Sequence, residues 1–594
     1  MKSLSYVEVD IDRCALDYGV APCQAQIGVT GDRKCFRSIG TCQDIDHFDD
    51  EGVTIRFSSD VLYLPSDIDC IPCLMSVEIT PAIVSLGVDL GQRASVRITL
   101  KDHPDSDTGP HGDPYLAERG YDPFKRGTFF GKFRARHPYL RARKLRVIRG
   151  QVGQALSEME TRHFIVDSFD GVNADATFVI TAKDVLKLAD DDRAQAPRPS
   201  NGFLATDIGA GATSFTLSPS GIGNQEYPTS GHLALGGSEI VAFTRVGNVV
   251  SITRGQLGTV AIAHAAQDRA QLVLYYNSQD PAVILADLLQ TYAGIDPSYI
   301  PLADWQFETA TFLNRLYTGV IAEPTGVRKL CAEIIEQAAL AVWSDEVEEK
   351  IKLQVLRGIA TSATRFTEDL YQKDSIRNKE QPDKRVSRVI TYFAQINPLR
   401  SLDELDNYRS MVPTADEASE ANHGSQAIKV IKSRWIPAGG RSVATRLNEI
   451  ILGRYKKAPR QVSLSLFRDG VNDAVSLGQG ARVEGWFIQD DTGAPSDIPI
   501  QITRIKPDAA RLDIEAEEML FEVSGNIDAR EIVIDSDILS VNLRSMYDDI
   551  FPTPTAGDIV TCTIFAGVKV GSGSTLVPAF DVGAWPTQAS TGNR

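Results

Sequence analysis

A mainly β architecture with α+β parts, spread over several domains, is what this sequence predicts, on three observations. At 594 residues the chain is too long for one hydrophobic core, since cores stop growing near ~250–300 residues. Its beginning and end consist of short runs in which apolar and polar residues alternate, the period of a half-buried strand. Helical signals, apolar residues at period 3.6 with capping residues before them, come only after about residue 276. The composition, 43% hydrophobic and 23% charged, is that of ordinary globular protein.

Taken in order, the elements divide the chain at 1–199, 200–276, 277–460 and 461–594. Met1–Asp10 alternates like a strand and has no apolar leader-type run. Ser95–Asp102 (SVRITLKD) and Thr177–Asp184 (TFVITAKD) are the clearest strands of the first, β-rich domain. Asp190–Gly202 (DDDRAQAPRPSNG) is polar and proline-containing, and reads as a linker. The next segment is rich in Gly, Thr and Ser. Its runs SFTLS and EIVAFTRV are divided by turn residues such as Gly247-Asn248, which predicts a small all-β domain.

In 277–460 Asp280 can cap a helix, Pro281 suits its first turn, and Gly294 ends it. A second helix is expected over Val327–Ala341, with Leu330, Ile334 and Ala338 on one stripe. VEEKIKLQVL follows as a strand. A third helix, Val443–Leu452, should stop at Gly453. The acidic, Ser-rich stretch 401–424 is expected to be an exposed loop. Residues 461–594 return to short strands: QVSLSLF, ARVEGWFI, IPIQITRI and ARLDIEAEEMLFEV. No solenoid-type repeat shows in the sequence.

The net charge of −17 argues against a general nucleic-acid binder, whose affinity rests on Lys and Arg neutralising phosphates. Against that background Phe124–Gly150 holds ten Lys or Arg and no acid. KFRAR and LRARKLRV are read there as strands with a basic solvent face; contact with an acidic partner is the functional alternative, and DNA comes last. No stretch approaches the roughly 20 apolar residues of a membrane helix, so no membrane span is expected. This points to folding in the cytoplasm, where free thiols are the default. Lys101–Asp107 (KDHPDSD) lacks calcium-loop spacing and reads as a polar turn. No Walker A sequence, G-x-S-x-G elbow or H-E-x-x-H motif occurs.

The chemistry-bearing feature is CALDYGVAPCQAQIGVTGDRKCFRSIGTCQ. It holds Cys14, Cys23, Cys35 and Cys42, four of the eight cysteines, at gaps of 8, 11 and 6 residues. Four thiolates can hold zinc or a cubane iron–sulfur cluster, although neither the short zinc knuckle nor the tight ferredoxin spacing is present. Disulfides and unrelated buried thiols are the other readings of the residues alone. Gly19, Gly28, Gly31 and Gly40 lie between the cysteines and would let the loop fold tightly. Cys70 and Cys73 resemble a redox or metal knuckle but are read as buried thiols beside a strand. Cys331 and Cys562 are read as core thiols.

The phrases LDYGVAPC, KCFRSIGTCQD, IPCLMSV, LGQRASVRITLKDHPDSDTG, DPYLAERGYDPFKRGTFFGKFRARHPYLRARKLRVIRG, TRHFIVDSF and TAKDVLKLADDDRAQAP, over residues 8–198, resemble one family. It is the baseplate hub, or tail tip, protein of long-tailed bacteriophages, similar also to the hub of gene transfer agents. The resemblance implies a [4Fe-4S] cluster on Cys14, Cys23, Cys35 and Cys42. Lambdoid tail tip proteins have first and last gaps similar to those here and a longer middle one. Zinc is the alternative occupant. The resemblance further implies a homotrimer at the virion tail tip. Its partners would be the distal tail protein, the tape measure protein and central-fibre or receptor-binding proteins, with DNA passing through without specific binding. The expected function is structural and non-enzymatic. A tail-associated enzyme (a cell-wall hydrolase or redox protein) is one alternative, and a receptor- or glycan-binding module in the small β domain is another.

Overall fold

The computed structural model describes residues 3–59, 68–108, 112–119, 127–467, 475–507, 511–520, 530–555, 558–586 and 590–593. The architecture is mainly β, as the alternating runs predict. The chain forms two compact units. One is Met1–Ala82, Arg93–Lys187 and Ser344–Lys350; the other is Ile83–Gln92, Leu188–Trp343 and Ile351–Arg594. Among the described residues no helix is long and apolar enough to cross a membrane.

The first unit is a seven-stranded sheet. Its strands are β1 (Ser3–Ile11), β2 (Val53–Ser58), β3 (Leu74–Thr80), β4 (Ser95–Lys101), β5 (Lys144–Gln151), β6 (Glu160–Gly171) and β7 (Thr177–Lys183), in the order β2-β1-β5-β6-β7-β4-β3. Every pairing is antiparallel. On β4 the alternation places Val96, Ile98 and Leu100 inside with no exposure and leaves Arg97 and Lys101 exposed.

Helix α1 (Phe129–Arg136) covers part of this sheet. KFRAR is therefore helical rather than a strand. Phe129, Phe130 and Phe133 stand at helical spacing, and Phe130 stacks on Phe178 of β7 at 4.7 Å while meeting Phe57 of β2 at 5.7 Å. Burying the Phe130 and Phe133 rings in this way, at about 1.5–3 kcal/mol per side chain, outweighs the local alternation of Lys132–Arg136. LRARKLRV does enter a strand, β5.

Several cations of the basic stretch pair with acids of the chain, whereas Arg134 and Arg141, both exposed, donate to the Gly171 and Asp167 carbonyls. Arg136 grips Asp107 through two bonds of 2.6 Å, Arg143 pairs with Asp12, and Lys132 with Asp105 and Asp107. Arg146 bridges Glu8 and Asp10, and Glu8 is shared with Arg56. Lys125 and Arg126 lie outside the described residues.

The second unit begins with β8 (Gln195–Ala196). A seven-stranded antiparallel sheet then draws on β9 (Phe203–Leu204), β10 (Ser214–Ser218), β11 (Ser230–Leu235), β12 (Glu239–Val246), β13 (Val249–Thr253), β14 (Ala270–Gln279) and β15 (Tyr317–Ile321). Gly247-Asn248 makes the two-residue turn between β12 and β13, with Gly247 at φ +59° and Val246 facing Val249. Leu204, Leu233, Leu235, Val241 and Val250 have no exposure in its core. β14 runs on past residue 276 to pair with β15.

Glu239, fully buried on β12, organises the loop after β13. It accepts from Arg254 at 2.8 and 2.6 Å, from the Gly255 and Ile262 amides at 2.9 and 3.1 Å, and shares a 3.1 Å contact with His264. These hydrogen bonds outweigh the opposing effect of burial and hold its carboxyl down at about 2.

Helix α2 (Pro281–Asp287) starts as expected, Asp280 accepting from the Ala282 amide at 2.8 Å. After α3 (Leu302–Phe312) and β16 (Thr325–Gly326), which pairs with β8, comes α4 (Val327–Gln337). Its stripe is the expected one, with Leu330 and Ile334 unexposed and Ala338 1% exposed. The helix ends at Gln337, four residues short of the expected Ala341, because the chain is already β17 (Leu340–Asp345) there. β18 (Lys350–Val355) is the strand read in VEEKIKLQVL.

Two further sheets follow. β19 (Thr364–Phe366) and β20 (Arg377–Glu380) are the edges of a six-stranded one. β21 (Arg388–Gln395), β22 (Tyr408–Ala415) and β23 (Ile428–Lys432) form the other. The stretch 401–424 is thus not a loop: it contains β22 and α5 (Glu417–His423). Tyr408 and Val412 of β22 are buried and alternate with exposed Arg409, Met411, Pro413 and Ala415, while the acids lie to either side of the strand, before Tyr408 and at α5. α6 (Arg441–Tyr455) passes through Gly453 instead of stopping there. Gly453 is buried, and packing outweighs the roughly 1 kcal/mol a helical glycine costs. β24 (Arg460–Phe467), β25 (Gly480–Gln489), β26 (Pro495–Pro507) and β27 (Arg511–Glu518) complete the six-stranded sheet in the order β19-β25-β26-β27-β24-β20.

The chain finishes with β28 (Arg530–Ile534), β29 (Ile538–Leu539), β30 (Val541–Asn542), α7 (Leu543–Asp548), β31 (Ile559–Ile564), β32 (Val570–Gly571), β33 (Phe580–Asp581) and β34 (Ser590–Asn593). All pairings among these strands are parallel.

Candidate metal centre

Cys14 lies three residues beyond β1, and the segment it opens returns to the sheet at β2. Between them the chain has little regular structure, so local hydrogen bonds shape it. The Cys14 amide donates to the Arg37 carbonyl at 2.8 Å, which folds the far side of the loop back on its start. The Cys23 amide closes a turn on Val20 at 3.0 Å, and the Cys42 amide one on Ile39 at 3.3 Å. Gly19, at φ +75°, sits where a Cβ would come within 3.1 Å of the Ala25 carbonyl. Gly40 lies against Pro138, 2.7 Å from where its own Cβ would be. A side chain at Gly40 would push the Cys42 turn off that support.

The result is that Cys14, Cys23, Cys35 and Cys42 line one small cavity of about 20 Å³. Leu16, Tyr18, Ala25 and Phe48 give it a largely apolar wall. None of the four thiols is in a disulfide. Two receive backbone N–H groups from two residues ahead: Arg37 N to Cys35 Sγ and Asp44 N to Cys42 Sγ, both 3.4 Å. Such amides stabilise a sulfur that carries negative charge, as outer hydrogen bonds to metal-bound thiolates do.

Burial pushes the Cys35 and Cys42 thiols up. The two amides work against it, and the charge the neighbouring cysteines would carry pushes up again. Cys35 and Cys42, held back from ionising in this way, gain most from a positively charged centre beside them. Among the described residues no three His, Cys, Asp or Glu side chains close round a single-ion position.

The sequence reading missed the belt around this loop. Phe36, beside Cys35, is sandwiched between the guanidiniums of Arg119 at 4.3 Å and Arg136 at 4.0 Å. Arg119 also donates to the carbonyls of Arg33 and Cys35 and pairs with Asp113 at 2.7 Å. Arg33 lies over Tyr18 and Tyr115, and Arg37 pairs with Asp17. Asp44 and His47 line the cavity as well, with His47 Nδ1 3.0 Å from the carboxylate. The available signal was the interleaving of Arg33 and Arg37 with the cysteines.

The other cysteines stand apart from this cavity. Cys70 Sγ is 3.5 Å from Ser58 Oγ; Cys73 is buried, and burial pushes its thiol up to about 12. Cys331 on α4 and Cys562 on β31 are core thiols, 0% and 3% exposed.

No family model and no curated protein matches the chain. Solved structures do. The tail protein of prophage MuSo2 from Shewanella oneidensis overlaps it at TM-score 0.32 and 11% identity, over 75% of this chain and 97% of that one. A tail protein from Neisseria meningitidis gives 0.32 and 10%, over 75% and 96%. A prophage tail protein from Listeria monocytogenes gives 0.26 and 9%, over 74% and 88%. Each of these three is a tail protein.

Proposed function

We propose that this chain is a structural hub protein of a phage tail tip, and that Cys14, Cys23, Cys35 and Cys42 hold a [4Fe-4S] cluster that staples its N-terminal unit. The observation that carries the cluster is the convergence of four cysteines, 28 positions apart at the extremes, on one cavity with backbone N–H groups aimed at two of the sulfurs. A loop with so little regular structure buries few apolar groups of its own. A centre bound to four points of it contributes folding free energy directly. Its chemistry there is cross-linking.

Zinc is the second reading. With Zn–S near ~2.3 Å a tetrahedral site needs sulfurs within about 3.8 Å of one another. Four thiolates round one cavity suit either centre, and the resemblance to tail tip proteins is what favours the cluster. The resemblance to tail hubs supports the assembly: three copies forming a ring, the distal tail protein above, the tape measure protein within, and central-fibre or receptor-binding proteins below. Purification without oxygen, with iron and acid-labile sulfide measured per chain, tests the centre. Electron microscopy of particles carrying a labelled chain tests the place.

A further inference from the structure

Tyr18 stands in the wall of the cysteine cavity and packs, with Ala25 and Tyr115, against Cys23 and Cys35. Its backbone and ring are firmly held. The Tyr18 amide donates to the Tyr115 hydroxyl at 2.8 Å, and the two rings meet edge to face at 6.3 Å. The Arg33 guanidinium lies over both rings, 4.8 Å from the Tyr18 centroid and 4.9 Å from that of Tyr115. Tyr115 is fixed in turn by Asp113, which accepts from the Tyr115 amide at 2.9 Å and pairs with Arg119.

One atom of this well-held side chain is left over. The Tyr18 hydroxyl is shielded from solvent and has no hydrogen-bond partner among the described residues, the cysteine sulfurs included. Arg37, a second residue of the cavity wall, pairs with Asp17, yet its buried Nε has no hydrogen-bond partner among the described residues either. A buried polar group left without a partner is destabilising, and native proteins keep few of them. Here both groups can donate. The backbone N–H groups of Arg37 and Asp44 add two more donors, already aimed at the Cys35 and Cys42 sulfurs. Donors gathered in this way round four thiols call for a negatively charged acceptor that the chain does not supply.

We propose that the Tyr18 hydroxyl donates a hydrogen bond to a sulfur of the centre held by Cys14, Cys23, Cys35 and Cys42, and so tunes that centre. This rests on the reading that the four cysteines hold a [4Fe-4S] cluster. A cubane brings inorganic sulfides as acceptors beside its thiolates, and hydrogen bonds to the sulfurs help set its reduction potential. The reduced form carries one more negative charge, so a donor favours it and raises the potential. The same bond helps to hold the centre in the loop. The grip of Tyr115 and Arg33 on Tyr18 keeps the hydroxyl in place.

Tyr18→Phe tests this, because it removes the hydroxyl and keeps the ring and the amide bond to Tyr115. The full-length chain and the variant are purified without oxygen. They are compared by spectroelectrochemical titration and by the rate of iron release to bathophenanthroline. The proposal expects equal iron per chain, a more negative potential in the variant, and iron release faster by about tenfold, as the loss of one hydrogen bond to a charged group implies. Deuterated solvent should also shift the Fe–S stretching bands in resonance Raman spectra more in the parent than in the variant. A role in packing alone would move neither the potential nor the isotope shift. Should Tyr18→Phe fail to fold, fluorotyrosine at position 18, a stronger donor of nearly the same shape, should raise the potential instead. A parent chain without iron refutes the cluster, and this inference with it. Iron at the parent level with an unmoved potential refutes the hydroxyl's role alone, for its partner would then be a buried water.

Discussion

Replacing Glu239 by Gln should open the small β sheet at its most polar point. The carboxylate has no exposure and collects two amide donors and a contact with the His264 ring besides the two bonds of a bidentate Arg254 pair, whose cation is itself only 10% exposed. Glutamine offers one acceptor oxygen and turns an NH₂ towards donors that cannot receive it. Breaking a buried pair in this way costs about 3–5 kcal/mol. The acid side gives a similar figure. A carboxyl held at about 2 against an ordinary 4.5 contributes roughly 3 kcal/mol at neutral pH. Because the folded value is depressed, that contribution is complete above about pH 4.5 and is lost as pH falls towards 2. Hydrogen-exchange mass spectrometry reads this locally. At pH 7, Glu239→Gln should lower protection over 239–262 by about 100-fold or more, with the N-terminal sheet unaffected. Protection within threefold of the parent would refute the reasoning, because the hydrogen bonds would then carry no net stability.

Other substitutions separate the staple from the ordinary core. Cys14→Ser or Cys42→Ser should give aggregated chain on size exclusion, whereas Cys331→Ala, in the core of α4, should cost only about 1 kcal/mol in urea unfolding; similar behaviour of all three would contradict the staple. Arg146→Ala leaves the buried Glu8 with Arg56 alone and should cost about 2–3 kcal/mol, read as a lower melting temperature; an unchanged melt would mean the pair is worth nothing net. Cys73, its thiol pushed up to about 12 by burial, should resist iodoacetamide at pH 8 until the chain is unfolded, and rapid labelling of the folded chain would show the site to be open.

Where the sequence carried its own boundary signals, it was legible. The strand over Ser95–Lys101, the Asp280 cap and the Leu330–Ile334–Ala338 stripe depend on neighbours within a turn or two, and each stands where the pattern put it. The four cysteines line one cavity. Long-range partners account for what was not legible. Lys132–Arg136 alternates like a strand but is helical because Phe57 and Phe178, far away in sequence, receive the Phe130 ring. The ten-cation stretch looked like a basic face because its acids, Glu8, Asp10, Asp12 and Asp107, lie outside it. The parallel pairing of the last strands left no trace: the strands are as short as two residues, differ in sequence, and are interrupted by α7. Tyr276 looked like the end of a small domain, yet β14 carries the ladder to β15 through it.

The most direct test of the account is the metal content of the chain purified anaerobically at neutral pH. A Cys₄ cubane predicts a brown protein with broad absorbance near ~400 nm, and about four irons and four sulfides per chain. Cys35→Ser should reduce both together. Stoichiometric zinc, or two disulfides joining Cys14, Cys23, Cys35 and Cys42, would contradict the cluster and leave the four thiols a different task.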